Sequence, residues 1–261
     1  MNRVKIRDVI LGEGIPKICV PVTGYTEEEI RLRLREAADT DADVVEWRAD
    51  WYDGVFEKGK LSGMLKLLRE FLGETPLLVT FRTREEGGEQ EISQKAYEDF
   101  LSEVLYSGQA DMIDAELFRG ENLLTRICRE AHQSGTAVVA SSHDFEKTPE
   151  KDEILRRLCR MQECGADVLK LAVMPQNPQD VLTLLSATWE MKEKYAKQPL
   201  ITMSMGRTGV VSRMCGEIFG SALTFGSAGT ASAPGQIPVS ELRNILKIFH
   251  EEHRAEKTSG K

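Results

Sequence analysis

The sequence predicts an α/β protein folded as a (β/α)8 TIM barrel, and three observations lead to this fold class. Short runs rich in β-branched residues alternate with stretches of helical periodicity. Strands that alternate with helices form a parallel sheet. The chain has 261 residues, the usual length for eight such units, and it lacks the glycine motif of dinucleotide-binding open sheets. We therefore expect residues 1–261 to form a single barrel domain with one catalytic site.

The predicted strands follow one another along the whole chain, and each is a short, mostly apolar run. They are residues 17–23, 43–48, 76–82, 110–117, 136–142, 166–173, 199–205 and 222–226. Residues 1–14 precede them and hold two shorter β-like runs. We interpret these runs as a β-hairpin that closes the bottom of the barrel.

The intervening helices carry start signals in the sequence. Thr26 followed by Glu29 forms a capping box, in which each side chain bonds the other's backbone amide. Residues 148–149 (Thr-Pro) and 177–178 (Asn-Pro) each place a cap residue before a proline at the first helical position. These signals predict helices that begin directly after the cap residues, at residues 27, 149 and 178.

Composition limits the partners of this protein. The 42 acidic residues outnumber the 34 basic ones and give a net charge of -8, which argues against nucleic acid and membrane surfaces as partners. The uncharged stretch 218–240 contains too many Gly and Pro residues for a spanning helix. The charged amino terminus does not resemble a signal peptide, and the five scattered cysteines indicate reduced thiols. We expect a cytoplasmic protein that binds a small molecule.

Lys170 is a charged residue in the middle of a predicted strand. Alternate side chains of a barrel strand point inward, so Lys170 shares the inner face with Val168 and Ala172. A buried, unpaired ammonium is costly, which leaves either a salt bridge or a desolvated amine that attacks a carbonyl group. The small inward neighbours leave room for a ligand and favour the second interpretation.

Further polar residues meet the same inward parity near the carboxyl ends of their strands, where barrel active sites lie. They are Glu46, Arg48, Arg82, Asp114 and Glu116. A purely structural network of ion pairs is the alternative interpretation. His143 ends the fifth of the eight predicted strands, next to that of Lys170, and is the candidate for proton transfer. No group of Cys, His and acidic residues has the spacing of a metal site.

These residues belong to segments that resemble the type I 3-dehydroquinate dehydratases of the shikimate pathway. The similar segments are residues 46–50, 81–90, 111–118, 141–145, 169–176, 201–214, 222–226 and 231–237. They run in order over nearly the whole chain. The resemblance implies a homodimeric lyase of aromatic amino acid biosynthesis that needs no metal or organic cofactor. It implies dehydration of 3-dehydroquinate to 3-dehydroshikimate.

The resemblance also assigns roles by position. Lys170 resembles the lysine that forms a Schiff base with the substrate, His143 the general acid and base, and Glu86 its paired carboxylate. The resemblance implies substrate binding by Glu46, Arg48, Arg82, Arg213, Ser232, Gln236, Met203, Met205 and Phe225. Glu46, Arg48 and Arg82 are expected to bind the ring hydroxyls, and Arg213 the substrate carboxylate. Ser232 and Gln236 are expected to belong to a lid that closes over the carboxylate. Met203, Met205 and Phe225 are expected to form apolar walls.

Two further expectations follow for the site. Burial and the like charges of Arg48, Arg82 and Arg213 are expected to lower the pKa of Lys170 and to favour its neutral amine. Pro21 stands near the end of the first barrel strand, where many members of the resembled family carry Ser, so a hydroxyl contact is not expected there.

Two rival functions remain open at this stage. Another Schiff-base-forming barrel enzyme, such as an aldolase acting on a phosphorylated sugar, would use the same lysine but would hold a phosphate in the loop 226–236. A non-catalytic barrel that binds sugar acids is the second rival. Identifying the substrate's anionic group as carboxylate or phosphate separates the first rival, and a turnover assay separates the second.

Overall fold

A curled sheet of nine parallel strands forms the centre of this computed structural model, which describes residues 2–229 and 235–259. In chain order all the described strands are β1 (Val4–Ile6), β2 (Val9–Leu11), β3 (Lys17–Val22), β4 (Val44–Arg48), β5 (Leu77–Thr80), β6 (Met112–Glu116), β7 (Ala137–Asp144), β8 (Val168–Val173), β9 (Leu200–Ser204), β10 (Leu223–Ser227) and β11 (Ile237–Pro238). Two of them, β1 and β2, form a separate antiparallel pair. Each of the eight predicted strands is present, as β3 to β10.

A helix or helix pair follows each strand from β3 to β10 and covers the outside of the sheet. In chain order these are α1 (Glu27–Ala38), α2 (Lys60–Leu72), α3 (Gln94–Ser107), α4 (Glu121–Ser134), α5 (Lys151–Glu163), α6 (Pro178–Glu190), α7 (Val211–Met214), α8 (Gly216–Phe219) and α9 (Val239–Ser259). Among the described residues, no helix combines the length and the apolar character needed to cross a membrane.

The sheet runs in the order β11-β10-β3-β4-β5-β6-β7-β8-β9, so its two ends come from neighbouring parts of the chain. A parallel bridge between Leu200 and Ser221 joins β9 to the start of β10. The backbone N–H of Ala222 donates to the carbonyl oxygen of Leu200 over 2.7 Å. These contacts close the barrel that the sequence predicts.

The antiparallel pair β1 and β2 covers the amino-terminal end of the barrel strands. Ile6 and Leu11 pack against inward side chains such as Val44. The backbone N–H of Asn2 donates to the carbonyl oxygen of Lys197, just before β9. The hairpin expected at the bottom of the barrel is therefore confirmed.

The two faces of each strand follow the predicted alternation. In β8, Leu169, Leu171 and Val173 belong to the large core between sheet and helices. Val168 and Ala172 belong to the smaller core inside the barrel. Lys170 lies between these two and faces the interior, because successive side chains point to opposite sides of a strand.

Helix starts agree with the predicted caps in two of three cases. The Thr26 hydroxyl accepts the backbone N–H of Glu29, and the Asn177 side chain accepts two N–H groups at the start of α6. The third prediction was wrong, because α5 begins at Lys151 with Glu150 as its cap residue, and not at Pro149 with Thr148 as the cap. The Thr148 hydroxyl instead donates to the carbonyl oxygen of Met174, 3.3 Å away, in the loop after β8.

Candidate active site

A cleft with an empty volume of about 540 Å³ opens at the carboxyl ends of the barrel strands. Its lining combines charged groups with apolar walls. It is formed by Pro21, Glu46, Arg48, Arg82, Glu86, His143, Phe145, Lys170, Ala172, Met203, Met205, Arg213, Phe225 and Gln236. The closed barrel thus brings together all the residues that the sequence assigned to the site, except Ser232. That residue lies outside the described part of the chain.

Lys170 lies at the bottom of the cleft with only 3% of its surface exposed. Its Nζ lies 3.2 Å from a carboxylate oxygen of Glu46 and 3.2 Å from one of Asp114. The Phe225 ring covers it, with the ring centroid 4.8 Å from Nζ. The nearest charged partners of the amine are therefore carboxylates. Arg48, Arg82 and Arg213 line the same cleft, and Arg82 shares an oxygen of Asp114 with the amine.

Arg82 is the centre of a buried network of ion pairs. Its guanidinium donates to Asp114 over 2.8 Å, to Glu116 over 2.7 Å and to the Ser141 hydroxyl over 3.0 Å. Burial alone would lower the pKa of Arg82, but the charges of Asp114 and Glu116 outweigh it and raise the pKa. Arg82 therefore stays charged and fixes the carboxylate of Asp114 beside Lys170. The sequence left open whether Arg82, Asp114 and Glu116 form a structural network of ion pairs or part of a catalytic site. They form such a network, and the network also holds a carboxylate beside Lys170.

His143, on β7, and Glu86, in the loop after β5, form a buried pair in the cleft. His143 Nδ1 lies 2.9 Å from Glu86 Oε2, and the backbone N–H of His143 donates to the same oxygen over 2.9 Å. Burial lowers the pKa of His143 well below its usual value, and the charges of Arg82 and Lys170 lower it further. Burial also raises the pKa of Glu86 to about 8, with Glu116 adding to the rise. Because the two groups are in contact, their titrations are coupled, and the apparent pKa values belong to the pair.

Arg213 is a buried cation on the wall of the cleft. Among the described residues no carboxylate pairs with it. Its Nη1 donates to the Met203 sulfur over 3.7 Å, and its Nε has no hydrogen-bond partner in the described part of the chain. Burial lowers the pKa of Arg213 to about 10. An arginine held in this state is prepared for an anionic group that enters the cleft.

Apolar side chains shape the rest of the cavity. Met203, Met205 and Phe225 belong to the core inside the barrel and reach the cleft from its lower side. Pro21 lies on the wall beside Glu46, its pairing partner across β3 and β4, and it presents no hydroxyl. Gln236, which follows residues 230–234 outside the described part of the chain, also lines the cleft.

Two residues of the site were not identified from the sequence. Phe145 lines the cleft with its ring stacked on that of His143, the centroids 6.5 Å apart. Asp50 is fully buried behind Arg48, and both of its oxygens accept hydrogen bonds from that guanidinium. Both lie just past a strand end, inside the segments 46–50 and 141–145 that resemble the family, and that resemblance was the available signal.

Comparison with known proteins gives consistent similarities. The chain matches the family model described as type I 3-dehydroquinase over residues 18–253. The 3-dehydroquinate dehydratase of Clostridium kluyveri is 53% identical and covers 94% of this chain and 97% of its own length. The enzyme of the same name from Clostridioides difficile is 48% identical, over 95% of this chain and 98% of its own.

Solved structures of the same kind superpose closely. A type I 3-dehydroquinate dehydratase from Clostridium difficile, with covalently modified comenic acid, has a TM-score of 0.93 at 47% identity and covers 96% of this chain and 98% of its own. The 3-dehydroquinate dehydratase of Geobacillus kaustophilus has a TM-score of 0.92 at 35% identity, over 96% of this chain and 97% of its own.

Proposed function

This chain belongs to the type I 3-dehydroquinase family, and from that premise we propose that it is a 3-dehydroquinate dehydratase. It is a lyase that converts 3-dehydroquinate to 3-dehydroshikimate and water in aromatic amino acid biosynthesis. The observation that carries the proposal is a buried lysine amine and a buried imidazole–carboxylate pair that line one cleft. The same cleft holds Arg213, which has no carboxylate partner among the described residues. Amine, base and cation are the groups that this dehydration requires.

Lys170 is the proposed nucleophile of the reaction. Its amine adds to the C3 ketone, and loss of water from the adduct leaves an iminium ion that acts as an electron sink. Before addition the ammonium must release a proton to solvent in the cleft, because the lowered pKa of Asp114 keeps that carboxylate ionised; Glu46 and Asp114, each 3.2 Å from Nζ, hold the amine in place. Phe225 over the amine keeps bulk water from this side of the cleft. The two carboxylates then stabilise the cationic iminium.

His143 is the proposed proton carrier. It removes a proton from C2, and the electron pair moves into the iminium to give an enamine. The electrons return as the C1 hydroxyl leaves with the proton that His143 carries, and hydrolysis of the Schiff base releases 3-dehydroshikimate. Glu86 orients the imidazole through Nδ1, so Nε2 is the nitrogen left for the substrate. A positioned base of this kind contributes roughly 10²–10⁴-fold to the rate.

The remaining cleft residues are proposed to bind the substrate. Arg213, without a carboxylate partner among the described residues, receives the substrate carboxylate. Glu46, Arg48 and Arg82 face the ring hydroxyls, while Met203, Met205 and Phe225 contact the ring. Ser232 and Gln236 are assigned to a lid over the carboxylate by the family resemblance.

The aldolase alternative is not favoured. A sugar phosphate carries two charges near neutral pH and is usually held by a cradle of backbone N–H groups at a helix terminus. The cleft instead presents a single arginine without a carboxylate partner in the described part of the wall. One guanidinium matches one carboxylate in charge and in its two parallel donors.

The test is turnover followed by trapping. Purified protein is mixed with 3-dehydroquinate, and the conjugated enone of 3-dehydroshikimate is followed by its ultraviolet absorbance. Borohydride added during turnover should inactivate the enzyme and attach the substrate's mass to the peptide that contains Lys170. Absence of turnover would refute the proposed function, whereas turnover with the label on another lysine would refute only the residue assignment.

We also propose that residues 1–261 form one catalytic domain that assembles as a cytoplasmic homodimer. Apolar side chains on α6 and α8 support an interface, since Leu182 is 57% exposed, Trp189 53% and Ile218 39%. The five free cysteines are compatible with a reducing compartment. Sedimentation equilibrium should give a dimer mass, and Trp189→Glu should shift it toward the monomer. A wild-type monomer at micromolar concentration would refute the dimer.

A further inference from the structure

Asp50 is a fully buried carboxylate that is not among the residues lining the cleft. We propose that Asp50 is a positioning residue, which holds Arg48 and the Glu86-bearing loop of residues 83–90 in one fixed arrangement. The inference rests on the proposed function, because it assumes that Arg48 contacts the substrate and that Glu86 orients the base. Asp50 itself touches neither substrate nor reacting atoms.

The first contact is a two-point ion pair with Arg48. Arg48 Nε donates to Asp50 Oδ1 over 2.8 Å, and Nη2 donates to Oδ2 over 2.8 Å. Two parallel bonds fix both the position and the plane of a guanidinium. The Arg48 side chain is 19% exposed, at the end facing the cleft, while Asp50 is fully enclosed. The pair therefore holds the inner edge of the guanidinium and leaves the outer edge for a ligand.

The second contact is with the backbone around Glu86. Asp50 Oδ1 accepts the N–H of Arg82 over 3.2 Å, and Oδ2 accepts the N–H of Glu89 over 3.1 Å. These two amides lie on either side of Glu86 in the sequence. One carboxylate thus fastens the loop before and after the residue that orients His143.

The loop itself is built for close packing against its own start. Gly88 lies so near the carbonyl oxygen of Arg82 that an added Cβ atom would be 1.8 Å from it. Gly88 N–H donates to the carbonyl oxygen of Thr83 over 2.8 Å, which closes the turn. A loop with so little free space transmits a displacement at Glu89 to Glu86, because it cannot absorb the change by local rearrangement.

All four hydrogen bonds require an acceptor with two oxygens. Asp50→Asn keeps the shape but turns one oxygen into an NH₂ group that faces donors. At least one bond to Arg48 and one to the loop are then lost together. Because both losses reach the site, we expect KM to rise at least about tenfold and kcat to fall as the Glu86 loop loosens, in keeping with loss of charged hydrogen bonds.

Asp111→Asn is the matched control for this substitution. Asp111 also bonds two arginines and one backbone N–H, but it precedes β6 at the hairpin end of the barrel. We expect Asp111→Asn to lower Tm while leaving KM within about twofold of the wild type. Asp50→Glu is the second variant and keeps the buried charge paired if the asparagine variant does not fold. The longer side chain cannot keep all four bonds, so KM should rise here too.

Two measurements separate positioning from stability. The first is a double-mutant cycle between Asp50→Asn and Arg48→Lys. When Arg48 is already replaced, Asp50→Asn should raise KM by less than about threefold, because its effect on KM passes through Arg48. Hydrogen exchange without substrate should show faster exchange of residues 83–90 in the Asp50 variant and no change there in the Asp111 control. Additive effects on KM, or unchanged exchange of this loop, would overturn the inference. Because the exchange experiment needs no turnover, it is decisive even if the wild type does not act on 3-dehydroquinate.

Discussion

Arg213→Met should make the free protein more stable and the enzyme far less effective. Methionine keeps an apolar chain of similar length beside Met203, and it removes a cation that has no carboxylate partner among the described residues. The fall in the pKa of Arg213 from 12.5 to about 10 corresponds to roughly 3 kcal/mol against the charged form in the folded state. Near neutral pH the substitution removes that cost.

The magnitudes can be stated for both properties. A domain near this size gains ~2–4 °C in Tm per kcal/mol, so Tm of the variant should rise by up to ~10 °C. Loss of a buried charged contact to the substrate carboxylate costs about 2–5 kcal/mol, which is a rise in KM of about 30-fold to a few thousand-fold. The stability and the affinity should thus change in opposite directions.

Calorimetry of the free protein and initial-rate kinetics with 3-dehydroquinate test this prediction. Arg243→Met is the control, because Arg243 donates to Asp41 and Asp43 at the other end of the barrel. Its loss should lower Tm and leave KM unchanged. A lower Tm for Arg213→Met, or a KM within about threefold of the wild type, would show that Arg213 is not a preformed anion site.

Three other variants or conditions test the proton-transfer groups. His143→Ala should lower kcat by roughly 10²–10⁴-fold with KM nearly unchanged. The Schiff base should accumulate in this variant, which intact-protein mass after borohydride reduction would detect. A raised KM with normal kcat would instead make His143 a binding residue. The wild-type rate should rise with pH toward an apparent pKa near 8, because Glu86 must lose its proton before its carboxylate can accept the Nδ1–H of the neutral His143 imidazole and leave Nε2 as the base. In Glu86→Gln this limb should be lost, because the side chain with the raised pKa is gone. An unmoved limb would assign it to another group. The raised pKa of Glu86 also makes wild-type stability depend on pH. Between about pH 4.5 and about pH 8 only the folded state keeps the Glu86 proton, so stability falls as pH rises. Glu86→Gln lacks this proton, so its Tm minus that of the wild type should increase over the same range, and a constant difference would contradict the raised pKa.

The order of elements and the inward face of each strand could be predicted from the sequence, because both depend on short-range patterns. The alternation of Leu169, Lys170 and Leu171 fixes which side of β8 faces the barrel interior, whatever the rest of the chain does. The start of α5 was wrong because the Thr148 hydroxyl bonds Met174 in the next loop, a contact that no local pattern contains.

The charge arrangement of the site was decided only by the tertiary structure. Lys170 contacts Glu46 and Asp114, which lie 124 and 56 residues away in the chain. Proximity between charges depends on how strands and their end loops meet around the closed barrel. Coulomb energies change steeply over a few ångströms, so a knowledge of which residues face inward does not determine which charges pair. The sequence by itself therefore determined the barrel and the chemistry-bearing residues, whereas the structure determined that Arg213 lacks a carboxylate partner in the described wall and that Asp50 holds Arg48.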